Sequence, residues 1–551
     1  MRRYILLLCT VLSFHFSKAQ LLKRTEAFTK ADTLRGMLSP LRTCYDINYY
    51  HLDIKVHIPE KKISGSTLFK FTATQNFKKL QFDLFENLNI DKVIYKGRLL
   101  KYRREFNAVF IEFPKTIKKR TEDAFTVYYS GSPPIAKNAP WDGGFIFSQD
   151  ASGKPWVGVA CQGFGASSWW PCKDHQADEV DSMLISAAVP NNLMNISNGR
   201  LRSVTKGKDG YNTYNWFVSY PINNYTVTLN IGDYAHFDDV YPGIQGPLTL
   251  DYYVLKDNLT KAKAHFTSDV KPMLNAFEYW FGPYPFYRDG YKLIETPYLG
   301  MEHQSAISYG NNYKKGYKGT DLSGTGLGLK WDYIIVHESG HEWFGNNITS
   351  KDLADMWIHE SFTTYSEGLF VEFNTDKEAG ARYIKGLRNN ISNTESIIGP
   401  YNVNKEGSKD MYYKGANMLH TMRTIIDDDK KWLAILRGLN KTYGLTTTTT
   451  EEILSYINQV SGNDFTKVFD QYLRFAKIPS LEFKLDNDQK AYYRWQADIK
   501  DFDMPVRIKF DTAASWQLLQ PTTEWKALNL PEASSKLLVD TDNFYISTKF
   551  L

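Results

Sequence analysis

Between Cys44 and about Pro247, apolar and polar residues alternate in short runs. Examples are Tyr50-His51-Leu52-Asp53-Ile54-Lys55-Val56 and Ala124-Phe125-Thr126-Val127-Tyr128-Tyr129. Turn clusters such as Gly131-Ser132-Pro133-Pro134 separate these runs. Successive strand residues face opposite sides, so a period of two predicts half-buried strands, and many such runs predict a large antiparallel β domain. After Tyr241-Pro242-Gly243 and one more strand-like run from Leu248 to Leu255, the period lengthens. Thr260 to Phe281 carries apolar residues at helical spacing, and Gly282-Pro283 stops that helix. From there to about Phe475 the pattern predicts mostly helix. The expected last one is Asp464 to Phe475, with Phe465, Val468, Phe469, Tyr472 and Leu473 on one face. Thr446 to Thr450 reads as cap and turn material before a helix at Glu451. Beyond Ile478-Pro479 short alternation returns, over a length that suits a small β-sandwich.

At 551 residues the chain is too long for one hydrophobic core. The expected architecture is a multidomain α+β protein. Residues 20–43 form a polar, weakly structured lead-in, 44–247 an N-terminal β domain, 248–477 a mainly helical domain and 478–551 a C-terminal β-sandwich. Residues 1–19 read as a signal peptide: Arg2 and Arg3 precede an apolar run from Tyr4 to Phe16, and Ser17-Lys18-Ala19 is a small-x-small cleavage site. That run is too short to span a bilayer, and the expectation is an exported protein, periplasmic or extracellular.

Cleavage after Ala19 leaves 63 of the 66 basic residues against 61 acidic ones. This balance lacks the electrostatic footprint of a nucleic-acid binder. Three cysteines then remain, Cys44, Cys161 and Cys172, an odd number that cannot pair fully.

The chemistry concentrates between His337 and Glu360. His337, Glu338 and His341 form H-E-x-x-H, and eighteen residues separate His341 from Glu360. Residues four apart share one helix face, so His337 and His341 aim two imidazoles at a common point. Glu338 lies about 100° around the helix, placed to reach a water at that point rather than to ligate. Gly345-Asn346 is the expected end of this helix. A second helical run from about Asp355 to Phe373 brings in Glu360. Three protein ligands and one open position is the pattern of a catalytic zinc, one Zn2+ per chain.

Two stretches, Glu342-Trp343-Phe344-Gly345-Asn346 and Trp357-Ile358-His359-Glu360-Ser361-Phe362, carry a resemblance. With the eighteen-residue gap between His341 and Glu360, they resemble the gluzincin zinc aminopeptidases, the aminopeptidase N and leukotriene hydrolase family. The resemblance covers most of residues 45–475. It implies a thermolysin-like catalytic domain at 248–477 and a three-domain bacterial-type member, since the chain stops short of the helical solenoid that larger members carry.

It also implies site roles. Tyr412, in Tyr412-Tyr413-Lys414-Gly415, matches the tyrosine that stabilises the oxyanion. Gly300, Met301 and Glu302 match the G-x-M-E-N strand whose Glu grips the substrate's terminal ammonium, with His303 replacing the Asn. Gln162 matches a second amine-binding position, where many aminopeptidases have Glu and the leukotriene hydrolase branch has Gln. His303 and His359 are expected to be non-ligands.

The expected function is a zinc aminopeptidase acting on peptides with a free N-terminus. Glu338 is the general base, Tyr412 the oxyanion donor, and Glu302 and Gln162 the amine anchors. A zinc epoxide hydrolase of the leukotriene hydrolase type would use the same zinc and tyrosine. A catalytically weak peptide-binding module would need neither Glu338 nor Tyr412.

Overall fold

The computed structural model describes residues 27–486, 490–511, 513–529 and 536–551. The expected signal peptide lies outside them. The alternating runs become strands with one buried face, as in Tyr45–His57, where Ile47, Tyr50, Leu52, Ile54 and Val56 are buried. This strand lies in an eight-stranded sheet, pairing antiparallel with Lys62–Ala73 and parallel with Ser182–Pro190. Its register sets Tyr50 opposite Phe69, whose ring stacks on Phe125 at 4.5 Å. A second, four-stranded sheet carries Pro155–Ala160, the strand that delivers Gln162.

The helical half is built on a five-stranded sheet ordered Tyr234–Gly243, Gly246–Leu255, Tyr291–Glu295, Ile307–Tyr309 and Gly300–Met301. Tyr234–Gly243 was expected in the N-terminal β domain, yet it pairs along its whole length with Gly246–Leu255. The sheet therefore crosses the expected boundary at 247, because a hairpin partner outweighs a local composition shift. Gly300–Met301 lies at the sheet edge, with one backbone side unpaired within the sheet.

Helix Leu259–Phe281 buries Ala262, Phe266, Val270, Met273, Leu274, Phe277 and Phe281, and ends at Gly282 with φ 94°. One continuous core runs through the helical half into the strands after Ser480, and a separate core fills the N-terminal half. Ile294, Tyr298, Met301 and Ala306 belong to the latter, so the Glu302 segment is seated on N-terminal residues. The C-terminal region holds a four-stranded and a three-stranded sheet.

Three local expectations need correction. The lead-in is not weakly structured over its described part: Lys30–Gly36 and Pro40–Thr43 are helices, the first with a Thr29–Asp32 capping box. Thr446–Thr448 is a strand parallel to Ile348–Ser350, while Thr449 caps the next helix. The stretch from Asp464 to Phe475 is regular helix only over Thr466–Phe469 and then widens, though Phe465, Val468, Phe469, Tyr472 and Leu473 are all buried. Cys44, Cys161 and Cys172 are buried free thiols. No helix among the described residues is long and apolar enough to cross a membrane.

Candidate active site

Asp332 caps helix Tyr333–Gly340 by accepting from the amides of Ile334 and Ile335. Regular helix ends at Gly340, earlier than the expected Gly345-Asn346, and His341 begins a wider turn over Glu342–Asn346. Gly345, at φ 134°, is outside the helical region, as is Phe344. The bend turns the Phe344 carbonyl back onto His341 Nδ1 at 3.0 Å, where Thr363 Oγ1 also lies at 3.2 Å. His337 Nδ1 is 2.7 Å from Glu367 Oε1, and Tyr383 donates to the other Glu367 oxygen at 2.7 Å. With each Nδ1 engaged, both Nε2 atoms are left to face the site.

They face Glu360, which helix Trp357–Asn374 supplies in its first turn. Glu360 Oε2 is 3.4 Å from His341 Nε2 and 3.8 Å from His337 Nε2. It is buried and has no hydrogen-bond donor among the described residues. A buried carboxylate oxygen without a donor is costly, and a cation is the group that satisfies it. Ligands about 2.0–2.2 Å from a tetrahedral zinc lie roughly 3.3–3.6 Å apart, so the two-imidazole, one-carboxylate set fits that ion. Potential ligand atoms of His337, His341 and Glu360 all lie within 4.8 Å of one another. His359 instead accepts the Ser350 amide on Nε2 at 2.8 Å, and His303 Nδ1 sits 3.1 Å from Ser308 Oγ.

Glu338 is buried between this cluster and the sheet edge: a Cβ added at Gly300 would sit 2.8 Å from its Oε1. Burial pushes its carboxyl up to about 7, with Glu302 and Glu360 adding to the effect and His337 and His341 opposing it. Glu302 follows the same edge strand. Gln162 Nε2 donates to Glu302 Oε1 at 2.6 Å and to Glu360 Oε1 at 3.4 Å, and Tyr225 donates to Glu302 Oε1 at 3.2 Å. The widened turn clamps this segment: Asn346 Nδ2 donates to the Glu302 carbonyl at 2.8 Å, and Glu342 accepts from the Ser305 amide at 3.0 Å. Met301 is buried beside Glu302.

Tyr412 opens from the first turn of helix Asp410–Ile426, its ring 6.1 Å from that of His337. Burial holds its phenol well above its ordinary pKa, reinforced by Glu360 and Glu406, so it stays an O–H donor. Gly415 lets this helix approach the Glu360 helix, since a Cβ there would be 1.8 Å from Ser361 Oγ. Lys414 ties the same helix to the carbonyls of Phe475 and Ala476 at 2.7 and 2.8 Å.

The structure thus brings together His337, Glu338, His341, Glu360, Gln162, Gly300, Met301, Glu302 and Tyr412. Glu367, Thr363 and Tyr225 were missed in the sequence. Glu367 had a signal, lying seven residues after Glu360 on the same helix face. Tyr225 had none, because it meets Glu302 only through folding.

Comparison with known proteins follows the same division of the chain. Residues 267–472 match the Peptidase family M1 domain and residues 46–226 the Peptidase M1 N-terminal domain. "Probable aminopeptidase 1" of Sulfurisphaera tokodaii is 21% identical over 519 residues, covering 90% of this chain and 62% of that protein. "Leucine aminopeptidase 2" of Vanderwaltozyma polyspora is 28% identical over 224 residues, 40% of this chain and 30% of its own. The chain thus spans less than two thirds of the length of these relatives. Among solved structures, the M1 zinc metallopeptidase from Deinococcus radiodurans superposes with a TM-score of 0.65 at 18% identity, over 79% of this chain and 95% of that one. A mutant of it bound to a Tyr-Ser-Ala substrate gives 0.64, also at 18% identity, over 79% of this chain and 95% of that one.

Proposed function

Because this chain belongs to peptidase family M1, we propose that it is a zinc-dependent aminopeptidase that hydrolyses the first peptide bond of peptides with a free N-terminus. His337, His341 and Glu360 hold one zinc ion. That ion supplies Lewis acidity at the scissile carbonyl and lowers the pKa of water. Glu338 takes the water proton and returns it to the leaving amine. Tyr412 donates its O–H to the developing oxyanion. The free edge of Gly300–Met301 offers backbone groups to an extended substrate, and the missing side chain at Gly300 allows close approach.

The observation that carries an exopeptidase reading is the wall made by Glu302, Gln162 and Tyr225 beside the Glu360 carboxylate. Glu302 offers a full negative charge to the substrate ammonium and Gln162 a neutral acceptor oxygen. Charge-assisted hydrogen bonds are roughly twice as strong as neutral ones, so Glu302 dominates. The same wall ends the cleft at the first residue. The test is a pair of aminoacyl amides, one with a free α-amine and one acetylated there. Only the free amine should be cleaved; equal cleavage of both would replace this reading with an endopeptidase.

Residues 1–19 are read as a signal peptide that exports the protein to a periplasm or the medium, on their basic, apolar and small-residue order. Residues 478–551 are read as a small β-sandwich, which the two C-terminal sheets support.

A further inference from the structure

Gln162 opens a tight turn. The Phe164 and Gly165 amides fold back onto the Gln162 and Cys161 carbonyls, each at 2.6 Å, with Gly163 and Gly165 at φ 66° and 98°. The carbonyls of Gly163 and Phe164 are thereby left outside any helix or sheet ladder, and such groups need donors. Asn404 Nδ2 donates to the Gly163 carbonyl at 3.2 Å. The other donor is Arg35, on the lead-in helix and 129 residues before Phe164. Its Nη2 donates to the Phe164 carbonyl, lies 3.5 Å from that of Gly163, and faces Asp174 Oδ2 at 3.8 Å. This fit requires glycine in the turn, since a Cβ at Gly165 would sit 2.1 Å from the same nitrogen.

Arg35 is itself firmly seated. Helix Lys30–Gly36 is seven residues long, too short to persist alone, and its last carbonyls have no partners within it. Each receives a side-chain donor from elsewhere in the chain. Gln81 Nε2 donates to Leu34 at 2.8 Å and Arg42 Nη1 to Arg35 at 2.5 Å. His175 Nε2 lies 3.2 Å from the Gly36 carbonyl; because its Nδ1 accepts the Ala177 amide at 3.1 Å, Nε2 carries the proton and donates. Gly36 also meets the helical half, where a Cβ would be 2.2 Å from the Asn404 amide nitrogen. The two segments that supply donors to the Gln162 turn therefore brace each other.

On the aminopeptidase reading above, we infer that Arg35 is a positioning residue for the amine anchor: it fixes the Gly163 and Phe164 carbonyls and so holds Gln162 against Glu302. Gln162 Nε2 is 2.6 Å from Glu302 Oε1, so a small opening of the turn breaks that hydrogen bond. The test compares two zinc-binding ligands by calorimetry on the whole, zinc-loaded chain: L-leucine hydroxamate, and isocaproic hydroxamate, which is the same molecule without the α-amine. Wild type should favour the amine. Arg35→Ala should cut that preference by about 3- to 10-fold, the size of one ordinary hydrogen bond, and leave the affinity for the amine-free ligand unchanged. Arg35→Lys, which keeps a cationic donor, should recover part of it, and in a Gln162→Ala background Arg35→Ala should add nothing. An unchanged preference in Arg35→Ala overturns the inference. So does a parallel fall for both ligands, or a full additional loss in the Gln162→Ala background. If wild type binds both ligands equally, the aminopeptidase reading fails separately. Hydrogen exchange then decides Arg35: faster exchange at the Phe164 and Gly165 amides in Arg35→Ala, with helix Tyr333–Gly340 unaffected, supports it, and unchanged exchange overturns it.

Discussion

Glu367 touches no substrate position in this site, yet it sets how His337 can ligate. Its carboxylate takes the Nδ1 side of the imidazole at 2.7 Å and is itself oriented by Tyr383 at 2.7 Å. A carboxylate behind a metal-bound histidine fixes the tautomer and raises the basicity of the ligating nitrogen. Glu367→Gln should weaken zinc binding by about 10- to 100-fold, the usual size of such an effect. Competition with a chelator measures it directly, without reference to turnover. Zinc retention equal to wild type would reduce Glu367 to a packing residue. His341 uses a backbone carbonyl for the same purpose, so no single side-chain change removes its support.

Among the elements, the decisive packing is between the Glu360 helix and the Tyr412 helix. Three residues of Tyr412-Tyr413-Lys414-Gly415 have separate physical tasks: the phenol faces the metal cluster, Lys414 anchors the helix, and Gly415 removes the bulk that would keep the helices apart. Gly415→Ala should push Tyr412 away from Glu360 and lower kcat, while overpacking costs about 1–3 kcal/mol of stability. Removing the Ser361 hydroxyl as well should not rescue it, because Ser361 Cβ would still be 2.6 Å from the added methyl. Thermal melts and kcat on one aminoacyl amide check both parts. Wild-type kcat in Gly415→Ala would show that the helices have slack.

Across the whole molecule, the site exists only where two separate cores meet, with Gln162 and Tyr225 from the N-terminal half and the metal ligands from the helical half. Glu179 sits at the same junction, near Thr349 of the helical half and Asn223 of its own. Burial pushes its carboxyl from 4.5 up to about 7, with Asp178 adding to the shift and the nearby Thr349 and Asn223 side chains opposing it. Between those two values the folded protein holds a proton that the unfolded chain has released. Its stabilising contribution is therefore complete below about pH 4.5 and is lost as pH rises through about 7. Glu179→Gln should flatten the fall in melting temperature between pH 5 and pH 7.5, with the zinc content of both proteins matched. An identical slope in wild type and variant would mean that Glu179 does not carry the proton.

Local geometry made much of this protein legible from its residues alone. Two histidines four apart must share a helix face, alternating runs must present one face to a core, and the helix from Leu259 to Phe281 follows from its spacing. The ligand carboxylate and the edge strand came from motifs whose order along the chain is itself local information. Folding alone decided the rest. Gln162 meets Glu302 across 140 residues and Tyr225 meets it across 77. Strand Tyr234–Gly243 joined the helical half rather than the β half because its partner was there. Such contacts are fixed when distant backbones close on one another, and no periodicity in either segment records which partner it will meet. The clamp from Asn346 to the Glu302 carbonyl belongs to the same class.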